Sequence, residues 1–233
     1  MPTSRPTRRR NDPLCRHARA FTLLELLVVI AILIVLASLL LASASRPLAL
    51  AKAVACRHHL REWGLATHLY ADDHEDTLPP EGFPNPTERH TNSGWYIQLP
   101  RQVRFPAYHD QPWRTNSNAP IAPTPWLCPS NRRKSNGRNL FHYCLNQNVD
   151  GLHDSGLPTR LANIPNPGAI IWLFDTKNLP AVGSWNFPHT NVHSGGAHFL
   201  FLDGHTLRYP MRDYWDLTQE RAITNRPDLR WIP

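Results

Sequence analysis

Five residues near the end of the chain, His189, His193, His198, Asp203 and His205, gather imidazoles and a carboxylate within 17 positions. Those are ligand types that zinc or a similar cation takes up, and within the set His193, Asp203 and His205 are the candidate metal ligands. The same residues also fit a structural hairpin. In "HSGGAHFLFLDGHTLRY", residues 193–209, Asp203 and Gly204 supply an Asp-Gly turn between two alternating strands, with Phe199 and Phe201 on one face and His198, Leu200 and Leu202 on the other. Gly195 and Gly196 form a loop, and the histidines bond backbone groups at the hairpin ends. No H-E-x-x-H or paired C-x-x-C spacing occurs, and nothing marks a base that activates water. The hairpin is therefore the stronger expectation. Catalytic residues and an obligatory cofactor are not expected, a bound cation is the lesser alternative, and calcium would find a single carboxylate, Asp203.

A second chemical group stands alone at the other end. Glu25 lies near the start of "RAFTLLELLVVIAILIVLASLLLASA", residues 19–44, a run whose portion from Leu26 to Ala44 has nineteen residues and no charge. About 20 apolar residues span a bilayer, and a charge at a membrane centre costs roughly 2.5 to 3.5 kcal/mol on insertion scales. Glu25 therefore needs a partner. A plain anchor supplies none. A secretory signal peptide, cut after Ala42-Ser43-Ala44, would have a shorter apolar core of about 7 to 15 residues. Cleavage between Ala20 and Phe21 does supply one, because it creates an α-ammonium one helical turn before the carboxylate, within one molecule or between neighbours.

The elements that must position these groups follow from the composition. The 233 residues carry a formal net charge of +7, yet residues 1–20 alone hold six arginines against Asp12, a local +5 that leaves +2 for the rest. A nucleic-acid partner is disfavoured by that distribution. The chain reads as a basic leader over 1–20, a transmembrane helix over 21–45, an amphipathic stem helix over 46–75, and a β-rich globular domain over 76–233. The arginine bias places the N-terminus in the cytoplasm and the globular domain in the periplasm. In the stem, Ala49, Ala53, Cys56, Leu60, Trp63, Thr67 and Tyr70 share one helical face that should pack on a sheet, while His58, His59 and His68 face solvent. Short strands are expected at Trp95–Leu99, in "PWLCPS", in "NLFHYCLNQN" and in "GAIIWLFDT", with Ile170–Phe174 apolar enough to be central.

Arg19, Ala20, Phe21, Thr22, Leu23, Leu24, Glu25, Leu26 and Leu27 resemble the N-terminal cleavage and methylation motif of type IV prepilins and type II secretion pseudopilins. The resemblance implies a pilin-like α+β fold, a long N-terminal helix packed on a small antiparallel sheet. It further implies cleavage by a prepilin peptidase between Ala20 and Phe21, N-methylation of Phe21, and an assembly role for Glu25. Two departures stand out: Ala20 occupies the position usually held by Gly, and Ala42 replaces a frequent proline, with Pro47 five residues later. His193, Gly195, Gly196, Phe201, Asp203, Gly204 and His205 resemble the closing H-x9-D-G signature of a wider pilin-like family, which usually has Asn where His198 stands. That family tends to have cysteine at the positions of Cys56 and Cys128. The resemblance thus favours a Cys56–Cys128 disulfide, stapling helix to sheet, over a local Cys128–Cys144 bridge or free thiols. A nucleophilic site of Cys144 and His142 lacks any orienting partner.

The expected protein is a non-enzymatic prepilin-like subunit of a type II secretion or related system. It would be a single-pass protein of a bacterial inner membrane that joins a cell-surface filament after assembly. Its partners would be the prepilin peptidase, other pseudopilin subunits, the inner-membrane platform and membrane lipid. The alternative is a membrane-anchored periplasmic metal-binding module or hydrolase using the C-terminal His/Asp cluster.

Overall fold

The computed structural model describes residues 21–43, 45–82, 94–149, 159–177 and 181–233. The leader, with Ala20, lies outside the described residues. The chain divides into a unit ending at Ser45 and a unit from Arg46 to Pro233. The unit from Arg46 takes in the stem helix together with the β-rich residues that follow it.

In the first unit, helix α1 runs Leu23–Ser43. It consists of Leu, Val, Ile, Ala and Ser apart from Glu25, with no Gly or Pro to break it. Its apolar residues are exposed all round, among them Leu23, Leu27, Leu33, Ile34 and Leu39. Among the described residues no helix is long and apolar enough to cross a membrane.

The second unit opens on α2, Ser45–Asp73, with Pro47 in its first turn, where a missing N–H costs nothing. Cys56, Leu60, Trp63, Thr67 and Tyr70 are buried as the helical period requires, but Ala49 is exposed and Ala53 only half-buried. Packing therefore starts near Cys56. His58 is exposed, whereas His59 and His68 are half-buried and not solvent-facing as expected; His59 Nδ1 lies 3.2 Å from the Tyr143 hydroxyl. The helix gives way to Glu75 and Asp76, both at positive φ (53° and 63°).

Five strands form one sheet in the order β3-β1-β2-β4-β5, with β1 at Tyr143–Asn146, β2 at Ile171–Asp175, β3 at Val182–Gly183, β4 at Gly196–Phe201 and β5 at Thr206–Pro210. The "GAIIWLFDT" strand is central, and the Asp203-Gly204 hairpin joins β4 to β5, with Gly204 at φ 87°. The sheet is mixed and not purely antiparallel, since β3 pairs parallel to β1. A second pair, β6 (Trp215–Asp216) and β7 (Arg221–Ala222), closes the chain.

Both faces of the sheet are covered. One bears α2 and an aromatic cluster in which Trp63 meets Trp126 at 4.6 Å and Tyr108 stacks on Phe141 at 4.2 Å. The Trp172 indole N–H donates to Thr67 Oγ1 at 2.8 Å and fixes α2 to the central strand. The other face, with Phe174, Phe199 and Phe201, is capped by Tyr214, Leu229 and Trp231 from the C-terminal segment. Two expected strands are otherwise built. Residues 95–99 begin helix α3, Trp95–Gln102, whose buried Trp95, Tyr96, Leu99 and Pro100 repeat with helical and not strand period. "PWLCPS" is a turn: Trp126, Leu127 and Cys128 are all buried, and the prolines on either side deny a ladder its N–H donors.

Candidate functional site

The structure builds two places where chemistry gathers. The first is the start of α1. Glu25 Oε2 accepts from the Thr22 backbone N–H at 2.9 Å and from the Thr22 hydroxyl at 2.9 Å, while the Glu25 N–H donates to Thr22 Oγ1 at 3.2 Å. This reciprocal pattern is a capping box, which the T-x-x-E spacing signals directly. In the uncut chain, where Phe21 has an amide nitrogen, Thr22 is thus the partner Glu25 needs. Phe21 itself is 71% exposed.

The second place is buried where β2, β4 and the loop before β4 meet. The β1–β2 and β2–β4 registers set Phe174 between Cys144 and Phe199, so Asp175 at the end of β2 comes beside His198 on β4. Asp175 Oδ2 accepts from the His198 backbone N–H at 2.8 Å and lies 3.1 Å from His193 Nε2 and 3.3 Å from His198 Nδ1. Burial raises the Asp175 carboxyl, but the hydrogen bonds and charges of His193 and His198 outweigh it and hold it below the usual carboxylate range. His193 Nε2 is also 3.4 Å from Cys128 Sγ, and Cys128 is bonded to Cys56. Arg208 Nε and Nη2 donate to the carbonyls of His193 and Ser194 at 2.8 and 2.6 Å, tying the loop to β5.

His142 stands behind the disulfide. Its Nδ1 accepts from the Cys128 N–H at 3.1 Å, so Nε2 carries the proton and donates to the Arg133 carbonyl at 3.0 Å. Burial pushes its pKa down from 6.5 to about 4. Cys144 is a buried free thiol whose pKa burial raises well above its ordinary value. It is thus no nucleophile, and His142 serves Cys128 and not Cys144.

The expected ligand set is not assembled. Among the described residues, the groups able to hold a metal are Cys56–Cys128–His193 and Asp175–His193–His198; neither includes Asp203 or His205. Those two sit in the β4–β5 turn, where Asp203 Oδ1 accepts from the His205 N–H at 3.0 Å and pairs with its ring, which stacks on Phe201. His189 Nδ1 accepts from the Asn191 N–H at 3.1 Å. The two ends of the H-x9-D-G pattern therefore do separate work, His193 in the buried cluster and Asp203-Gly204 in the turn. Asp175 was missed. Its signal was a carboxylate ending a wholly apolar strand, "IWLFD", which a sheet buries only with partners.

An α+β body with a closed polar cluster, preceded by an exposed apolar helix with a capped acidic start, is what fold and sites define. Residues 15–41 match the prokaryotic N-terminal methylation motif. The match supports a type IV pilin-like protein, a prepilin-like subunit of a pilus or secretion system. The motif implies processing by a prepilin peptidase and assembly with other pilin subunits, in a membrane-anchored or surface-filament setting. No curated protein and no solved structure matches the chain.

Proposed function

We propose that the chain is a type II secretion-type pseudopilin, held in a bacterial inner membrane by residues 21–45 with its N-terminus in the cytoplasm and its globular body in the periplasm. The observation that carries the reading is the methylation motif on α1, a 21-residue helix apolar on every side. Such a helix, unlike α2, has no single face to bury and needs cover all round, from lipid or from neighbouring copies.

Cleavage between Ala20 and Phe21 converts the Phe21 nitrogen from an amide into an amine, which is then methylated. The new cation sits one turn before Glu25, where it competes with Thr22 for the carboxylate and lets Glu25 pair within its own chain or with a neighbour's terminus. Apolar packing of α1 helices around that contact draws subunits into a short filament on the inner-membrane platform. The work is mechanical, and no enzymatic step is assigned. The rival reading, a membrane-anchored periplasmic metal-binding module or hydrolase on His193, Asp203 and His205, lacks an assembled set: among the described residues no metal-capable group joins Asp203 or His205 to His193.

Mass analysis of the N-terminus of membrane-purified protein tests processing. A chain starting at methylated Phe21 is expected, and one starting at Met1 or Ser45 overturns the reading. Exchange of Glu25 for Ala should abolish filament crosslinks; crosslinking at wild-type yield would remove the assembly role.

A further inference from the structure

Three groups from separate segments send one ligand atom each to a common point. Asp175 Oδ2, His193 Nε2 and His198 Nδ1 lie within 4.8 Å of one another, with the carboxylate oxygen 3.1 and 3.3 Å from the two nitrogens. An ion bound tetrahedrally at about 2.0–2.1 Å from N and O ligands sets those ligands about 3.3 Å apart. The two carboxylate–imidazole spacings match that separation.

Hydrogen bonding alone leaves the cluster incomplete. His198 Nδ1, His193 Nδ1 and Asp175 Oδ1 have no hydrogen-bond partner, although the residues are 3%, 3% and 1% exposed. Asp175 Oδ2 meanwhile faces three nitrogens at once. A buried polar atom without a partner is destabilising, and a cation shared by the three groups would satisfy His198 Nδ1.

We propose that Asp175, His193 and His198 supply three ligands to one zinc ion that clamps β2, β4 and the His193 loop, with a water completing the tetrahedron. Two imidazoles and one carboxylate form a donor set suited to zinc and poorly suited to calcium. The rival trio, Cys56, Cys128 and His193, offers no thiolate while the disulfide stands. The His198 N–H that donates to Asp175 Oδ2 and the Arg208 bonds to the loop hold the carboxylate and the His193 segment in place. On binding, the proton between His193 Nε2 and Asp175 Oδ2 leaves to solvent and both atoms turn to the metal. The site does not depend on processing or filament assembly.

Full-length chain in detergent, with the disulfide intact, is stripped with chelator, loaded with zinc or cobalt(II), and assayed for bound metal, cobalt absorption and thermal midpoint. Expected are one metal per chain, the intense visible bands of tetrahedral cobalt, and a higher midpoint with zinc. His198→Gln and Asp175→Asn should lose the metal, while Asp203→Ala and His205→Ala should keep it. Uptake of no metal by the stripped wild-type chain overturns the proposal without recourse to any variant. So does full stoichiometry in His198→Gln, or uptake only after reduction of the disulfide, which would assign the metal to the cysteines.

Discussion

Glu25 carries two separable duties, one by its shape and one by its charge. As the third helical residue it closes a capping box with Thr22, and glutamine can do the same. Its negative charge, by contrast, is what the proposed methylated Phe21 amine would pair with. Glu25→Gln should therefore leave the start of α1 intact in the uncut chain while filament crosslinking falls. Thr22→Ala should do the reverse, loosening the first turn by about 1 kcal/mol, visible as roughly fivefold faster amide exchange at Glu25. At His142 the duty is neutrality. Its folded pKa of about 4 lies below the ordinary 6.5, so the folded state binds fewer protons between those values. Its contribution, about 3 kcal/mol, is present above pH 6.5 and lost as pH falls to about 4. His59 and His189, also lowered by burial, act in the same direction. Thermal midpoints should fall over this pH window, and His142→Asn, though less stable at neutral pH, should show a shallower fall. An unchanged slope would move the effect to other groups.

At the scale of the element, α2 meets the sheet closely because of a glycine. A Cβ on Gly64 would lie 2.9 Å from Leu200 Cδ1 and 3.4 Å from the Gly204 backbone. Gly64→Ala would improve helix propensity by about 1 kcal/mol on an isolated helix, but overpacking costs about 1–3 kcal/mol. Destabilisation by roughly 1 kcal/mol is expected in denaturant titration, and a stabilised variant would show that α2 can back away from β4. The face carrying Gly64 was legible because Cys56, Leu60, Trp63, Thr67 and Tyr70 recur at helical period. Ala49 shares that period and yet is exposed, since periodicity marks a face without marking where the sheet beneath it ends. The β4–β5 hairpin was legible from Asp203-Gly204, a local turn rule. Trp95–Leu99 was not: five residues are too few to separate a strand from a helical turn, and tertiary packing of Trp95 and Leu99 decided for the helix. The buried cluster was half-visible for a related reason. His193 and His198 are near each other in sequence, but Asp175 reaches them only through the β2–β4 register, a long-range pairing that no local pattern encodes.

Across the whole chain, the two units answer the burial of apolar surface differently. The unit from Arg46 covers both faces of its sheet from its own chain, with α2 on one side and Tyr214, Leu229 and Trp231 on the other. Helix α1 leaves its leucines and isoleucines exposed for other molecules to cover. Within the unit from Arg46 the Cys56–Cys128 bond ties the stem helix to the core across a sequence separation of 72. Closing a loop of that length stabilises by about 4 kcal/mol in the chain-entropy account, which for a body of this size is roughly 10 °C in thermal midpoint. Reduction, measured with chelator present so that no metal bridges the freed thiols, should lower the midpoint by about that amount. Cys56→Ser should lower it similarly without reductant and make it insensitive to reductant. A wild-type midpoint that stays fixed on reduction would show that the aromatic packing around Trp63 and Trp126 holds α2 unaided.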